Sequence, residues 1–303
     1  MHRRSGVVLL LTIVLVAIMS GIVSVVLSQS ERLWKLSQSH FNHSAALVLL
    51  GTLEAKLPSL LSKIESAEEL DLAMKLPISM ESINRDFLLN ATLSSSYSKL
   101  NINRLVKPDG SLNDPYVTAW MRIFDYYPIA DPEMLLKLVL DTIDTDLSER
   151  GTDTEIIWSV SDFKNGSIRD PKVFGRVLER YILMSGDKTV LDIPWDDYIG
   201  FEGDKVDVNA MNVQTLALLA PGVSAEKGRA LTTYRTKAFT TKEEVISAEP
   251  ALGGVFDTFL FIYTPGTSYT LKCDVSLTQK SAKEFIRFDY NLLDKKIRHV
   301  EFL

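Results

Sequence analysis

Tyr269-Thr270-Leu271-Lys272-Cys273-Asp274-Val275-Ser276-Leu277 alternates apolar and polar side chains with a period of two, the pattern of a strand that buries one face. Phe285-Ile286-Arg287-Phe288-Asp289-Tyr290 and Ile297-Arg298-His299-Val300-Glu301-Phe302 follow, so the C-terminal end predicts an antiparallel meander. Phe259-Leu260-Phe261-Ile262-Tyr263, just upstream, predicts another strand, broken by Pro265-Gly266. Further upstream, from about Asp114 to Leu252, the pattern is mainly helical, punctuated by Pro115, Pro128, Pro132, Pro171 and Pro221. Before that block, Phe87, Leu89, Ala91 and Leu93, then Tyr97, Leu100 and Ile102, alternate weakly and predict a hairpin of short strands over 83–105. Strands, a long helical block and strands again is the order of an α+β protein in which a helical domain interrupts an α/β one.

A helix precedes the strands. Leu33, Leu36, Phe41, Ala45, Leu49 and Leu53 recur at three-to-four spacing until Pro58 ends or kinks the run. Ahead of it, Val7 to Leu27 carries no charge and is long enough to cross a hydrocarbon core as a helix. Arg3 and Arg4 hold the N-terminus in the cytoplasm, so everything after Leu27 is expected outside it. The apolar run is longer than that of a secretory signal peptide, and polar, helix-compatible sequence from Ser28 to Leu36 continues directly from it without a turn residue.

The 303 residues carry a formal charge of −6, with 39 acids against 33 bases. That balance argues against a surface built for nucleic acid, whose phosphates are met by Lys and Arg. Cys273 is the one cysteine, so no intramolecular disulfide can form, and its place in a strand predicts a small core residue. Four histidines (His2, His40, His43, His299) do not make a histidine-rich metal site. No catalytic residues are expected. The chain lacks a Gly-x-Ser-x-Gly elbow, a His-Glu-x-x-His pair and a phosphate loop, and the adjacent Asp196 and Asp197 point apart.

Five segments carry a resemblance. Met1-His2-Arg3-Arg4-Ser5-Gly6 is similar to a type IV prepilin leader, which implies cleavage after Gly6 and Val7 as the new N-terminus. Pilins usually carry Glu at the fifth mature position, where this chain has Leu11; that departure suits a tip subunit, which need not offer the contact below. Val206-Asp207-Val208-Asn209-Ala210, followed by a helix, Pro221-Gly222 and a second helix, resembles a helix-hairpin-helix with a degenerate turn. Ser224 replaces its second glycine, and Glu226 on the entering helix would repel phosphate. Lys99-Leu100-Asn101-Ile102-Asn103-Arg104-Leu105 and Leu140-Asp141-Thr142-Ile143-Asp144-Thr145-Asp146 match further segments, and Asn165-Gly166 precedes a helix. In this order they resemble the K-type minor pseudopilins of type II secretion systems.

The resemblance implies a leader (1–6), a stalk helix (7–57), a pilin-like α/β domain with a small antiparallel sheet (58–113 and 256–303) and an inserted helical domain (114–255). It implies a single-pass inner-membrane protein with its bulk in the periplasm. Such a subunit is processed by a prepilin peptidase and works at the tip of a pseudopilus. Its expected partners are I- and J-type minor pseudopilins, the major pseudopilin, and the secretin or exoproteins, with no nucleic acid. The alternatives are a DNA-uptake or type IV pilus subunit, and a signal-anchored periplasmic binding protein. The acids Asp141, Asp144, Asp146, Asp153 and Glu155 offer the oxygen ligands that calcium takes. The family's use of calcium implies a site at Asp144, Asp146, Asp153 and Glu155.

Overall fold

The structure, a computed structural model, describes residues 66–81, 87–263, 269–279 and 282–302, with positions 19, 20, 51, 55 and 59. Gly6, Val7, Leu11 and nearly all of the expected stalk 7–57 lie outside the described residues. Among the described residues, no helix is long and apolar enough to cross a membrane. The chain divides into two compact units, 1–95 with 264–303, and 96–263.

The first unit is built on a five-stranded antiparallel sheet of β1 (Ile78–Glu81), β2 (Phe87–Ser95), β3 (Thr270–Gln279), β4 (Ala282–Asn291) and β5 (Lys296–Phe302), side by side in that order. Register places Ala91, Val275 and Ile286 in one cross-strand row and Leu93, Cys273 and Phe288 in the next. Leu89, Leu271, Cys273, Val275, Ile286, Phe288 and Tyr290 are buried, as the period-two pattern predicts. The opposite face is polar and carries an ion pair between Asp274 and Arg287 at 2.6 Å. Helix α1 (Ala67–Lys75) packs beside β2 through Ala67, Leu70 and Ala73. Ser66 opens it with a capping box: its hydroxyl accepts from Glu69 N, and the Glu69 carboxylate accepts from Ser66 N.

Four helices lead in the second unit: α2 (Asp114–Met121), α3 (Pro132–Ile143), α4 (Pro171–Ser185) and α5 (Val213–Leu219), followed by α6 (Ala225–Thr232) and α7 (Lys242–Ala248). The proline at the first or second position of α2, α3 and α4 explains where those helices begin, since its missing N–H is not needed there. The core gathers Trp120, Leu135, Leu138, Phe174, Val177 and Tyr181, and the Trp120 ring stacks on Trp195 with centroids 5.3 Å apart. Two short parallel pairings close the unit, Leu100–Asn101 with Ile199–Gly200 and Val206–Asp207 with Phe261–Ile262. Asp207 N also donates to Tyr97 O at 2.8 Å, so the segment 206–207 bridges the entering and leaving ends of the unit.

Three expectations change. The strand expected over 259–263 is only Phe261–Ile262, and it belongs to the helical unit. In the hairpin expected over 83–105, β2 pairs instead with Ile78–Glu81 and with β3, while Leu100–Asn101 joins the helical unit. The unit boundaries fall at 95/96 and 263/264, not at 113/114 and 255/256, because Leu100, Ile102, Leu105 and Phe259 are buried in the helical core.

Candidate metal centre

Helix α3 ends where its side chains turn acidic. Asp144 is its C-cap, with extended backbone, and the loop from Thr145 onward returns to the helix end at Thr154 and Glu155. Asp141, fully buried on the last turn, draws the loop back: its Oδ2 accepts from Arg150 N at 3.0 Å and from Thr154 Oγ1 at 2.5 Å. The Arg150 guanidinium lies across the same acids, with Nε 3.2 Å from Asp141 Oδ1 and Nη2 2.7 Å from Asp144 Oδ2. A second turn hangs from α3, where Gly166 N donates to Thr142 O at 2.8 Å. That places Asn165 so that its Nδ2 donates to Glu155 Oε2 at 2.8 Å and to Asp146 O at 3.3 Å.

This folding brings Asp144, Asp146 and Glu155 together, each offering a carboxylate oxygen, and the three oxygens lie within 4.8 Å of one another. Asp153 is not among them. Its backbone is left-handed (φ 59°), its side chain is exposed, and its carbonyl accepts from Arg180 Nη2 at 3.0 Å. Asp146 is exposed and also accepts from Ser148 N, whereas Glu155 is only 1% exposed. Among the described residues, Asp144 Oδ1, Glu155 Oε1 and Asn165 Oδ1 are buried with no hydrogen-bond partner. Buried oxygens ordinarily have partners, and three such acceptors in one corner fit the requirements of a cation. Burial raises the carboxyls of Asp144 and Glu155 above their ordinary range, against the hydrogen bonds from Arg150 and Asn165, and the neighbouring acids raise them further. The donor set is all oxygen, which suits a hard divalent cation such as calcium. Sequence reasoning found the acids but missed Asn165 as a lining residue and Arg150 altogether; its only signal was a cation inside an acidic run.

No family model and no curated protein matches the chain. Among solved structures, one chain in the crystal structure of the GspK-GspI-GspJ complex from the enterotoxigenic Escherichia coli type 2 secretion system aligns with a TM-score of 0.54 at 12% identity. The alignment covers 84% of this chain and 98% of that chain. The two chains share a fold.

Within this fold the helical hairpin is internally tied. Asn212 caps α5 and Ser224 caps α6, each side chain accepting a backbone N–H of the first turn. Ser224 therefore engages Lys227 N, an amide that a phosphate would otherwise find free. Arg235 is buried and donates to Asn209 O at 2.8 Å. Asn209 in turn bonds the backbone of Phe239 and Tyr263. Arg235 is thus a clamp on the unit's own loops. Asp196 and Asp197 lie exposed in the short helix Trp195–Tyr198.

Proposed function

We propose that the chain is a K-type minor pseudopilin. It is processed after Gly6, anchored in the bacterial inner membrane by the helix from Val7, and carries its bulk in the periplasm. There it joins I- and J-type minor pseudopilins and the major pseudopilin at the tip of a type II secretion pseudopilus. It helps initiate or cap the filament and so promotes export across the outer membrane. The observation that carries this is a fold shared with a chain of the GspK-GspI-GspJ complex over 84% of the sequence, behind a leader-like N-terminus. Leu11 at the fifth mature position supports a terminal place in the filament, since the buried carboxylate of a repeating subunit is missing. The corner formed by Asp144, Asp146 and Glu155 would hold calcium, with Asn165 beside it; when bound, the ion supplies charge neutralisation that fixes the loop rather than any reaction.

The test is the intact mass of the membrane-extracted chain, expressed with and without a prepilin peptidase, beside Gly6→Ala. Loss of residues 1–6 that needs both the peptidase and Gly6 is the expected result. An uncut chain under every condition would overturn the proposal.

A further inference from the structure

Arg150 is the one feature of the acidic corner that a simple cation site would not need. It rises from the middle of the loop and spans two acids, at 3.2 Å from Asp141 Oδ1 and 2.7 Å from Asp144 Oδ2. Its own backbone N–H donates to Asp141 Oδ2, so the residue is held from both ends. The contact with Asp144 has a geometric consequence. Oδ2 already accepts from Arg150, so Oδ1, buried and without a hydrogen bond among the described residues, is the oxygen that Asp144 keeps free for a cation. Glu155 is disposed in the same way: Asn165 Nδ2 donates to Oε2, and Oε1 is the oxygen left without a hydrogen bond among the described residues. Four acids (Asp141, Asp144, Asp146, Glu155) meet one fixed positive charge.

We propose that Arg150 is a built-in counter-cation. It keeps the acidic loop closed when no metal is present and engages one oxygen of Asp144 while leaving the other open, so that metal binding completes a loop that is already folded. The inference rests on the reading of the corner as a divalent-cation site. A guanidinium restrained in this way offsets like-charge repulsion without filling the space between the remaining oxygens. It also opposes an incoming cation, so it lowers the site's affinity while preserving its shape. Arg150 is a positioning residue, and its removal should shift stability from the metal-free protein to the metal-bound one.

The experiment uses the full-length chain in detergent micelles, with melting temperature read in a chelator and in excess calcium chloride. The variants are Arg150→Gln, Arg150→Lys and Asp146→Asn. Arg150→Gln is expected to lower the metal-free melting temperature and to raise the calcium-induced increase by about 2–4 °C relative to the unmodified chain. Arg150→Lys, which keeps the charge, should restore most of the unmodified behaviour. Asp146→Asn should reduce the calcium response while leaving the metal-free value near that of the unmodified chain. An Arg150→Gln chain that loses the same amount with and without calcium overturns this inference and leaves the metal site standing. No calcium response in the unmodified chain or in any variant overturns the metal site, and the inference falls with it.

Discussion

Gly203 has φ 81°, and a Cβ built on it would lie 1.9 Å from the Tyr97 ring. Both the left-handed backbone and the overlap demand glycine, so Gly203→Ala is expected to destabilise the helical unit by about 2 kcal/mol or more, read from the denaturant midpoint. Asn103 is a second single-residue tie. Its Oδ1 accepts from Ile168 N at 2.7 Å, and its Nδ2 donates to Ile168 O and Phe201 O at 2.8 and 3.0 Å. Asn103→Ala strips these bonds, together with the one that Nδ2 donates to Asn101 Oδ1 at 3.1 Å, and should cost about 2–3 kcal/mol. Asp187 is tied to pH. The backbone N–H of Ala130 at 2.7 Å, with Thr189, holds its carboxyl below the ordinary range. A depressed carboxyl contributes stability that is present above its unfolded pKa and is lost as pH falls through the folded value. Denaturant midpoints of the unmodified chain should therefore fall from about pH 5 towards about pH 2, with a shallower slope in Asp187→Asn.

At the scale of elements, what repeats is what could be read. The strands β3 and β4 run ten residues each with one buried face, so their period declares them, whereas β5 runs seven, buries none of its described side chains and is broken in register where His299 takes φ 50°. The two-residue pairings at Leu100–Asn101 and Phe261–Ile262 have no period to show, and they are the segments that crossed from the expected sheet to the helical unit. The hairpin helices were legible because Pro221-Gly222 parts two helical runs, whereas the caps at Ser224 and Thr241 precede polar, charged first turns and were not anticipated. In the acidic corner, the family resemblance pointed to Asp144, Asp146 and Glu155, whose carboxylates lie together. It also admitted Asp153, whose left-handed backbone lies in the turn just before Glu155. Arg150 stayed hidden because counting acids leaves out the cation folded among them. Helix α4 offers a test at this scale. Asp170 accepts from Lys172 N and Val173 N at one end, and Gly186 at φ 73° closes the other. Asp170→Ala and Gly186→Ala should each cost about 1 kcal/mol, and the double variant about 2, since the helix separates them by roughly 20 Å.

For the whole molecule, the helical unit is an interruption between two strands that are already neighbours. Ser95 at the end of β2 pairs with Leu271 at the start of β3, so the sheet's register does not depend on the 168 residues between positions 95 and 264. Within the helical unit, Val206–Asp207 ties the entering backbone at Tyr97 to the leaving one at Phe261–Ile262, so its two ends lie close together. Antiparallel neighbours need only a loop of about two to five residues. Replacing 97–268 by such a loop should therefore leave a chain with strand-rich circular dichroism and a cooperative unfolding transition. A shortened chain lacking both would show that the sheet needs the insert to fold.

Cys273 sits on β3, the middle strand of five, with 2% of its surface exposed, and burial pushes its thiol well above the ordinary range. It is also the chain's sole sulfhydryl. Thiol reagents added to the native protein should therefore find nothing to modify until the central strand parts from its neighbours, so the labelling rate becomes a stopwatch for opening of the sheet. The same silence makes the natural sequence its own blank: a cysteine planted at an exposed position such as Leu147 or Trp158 would carry a probe without background.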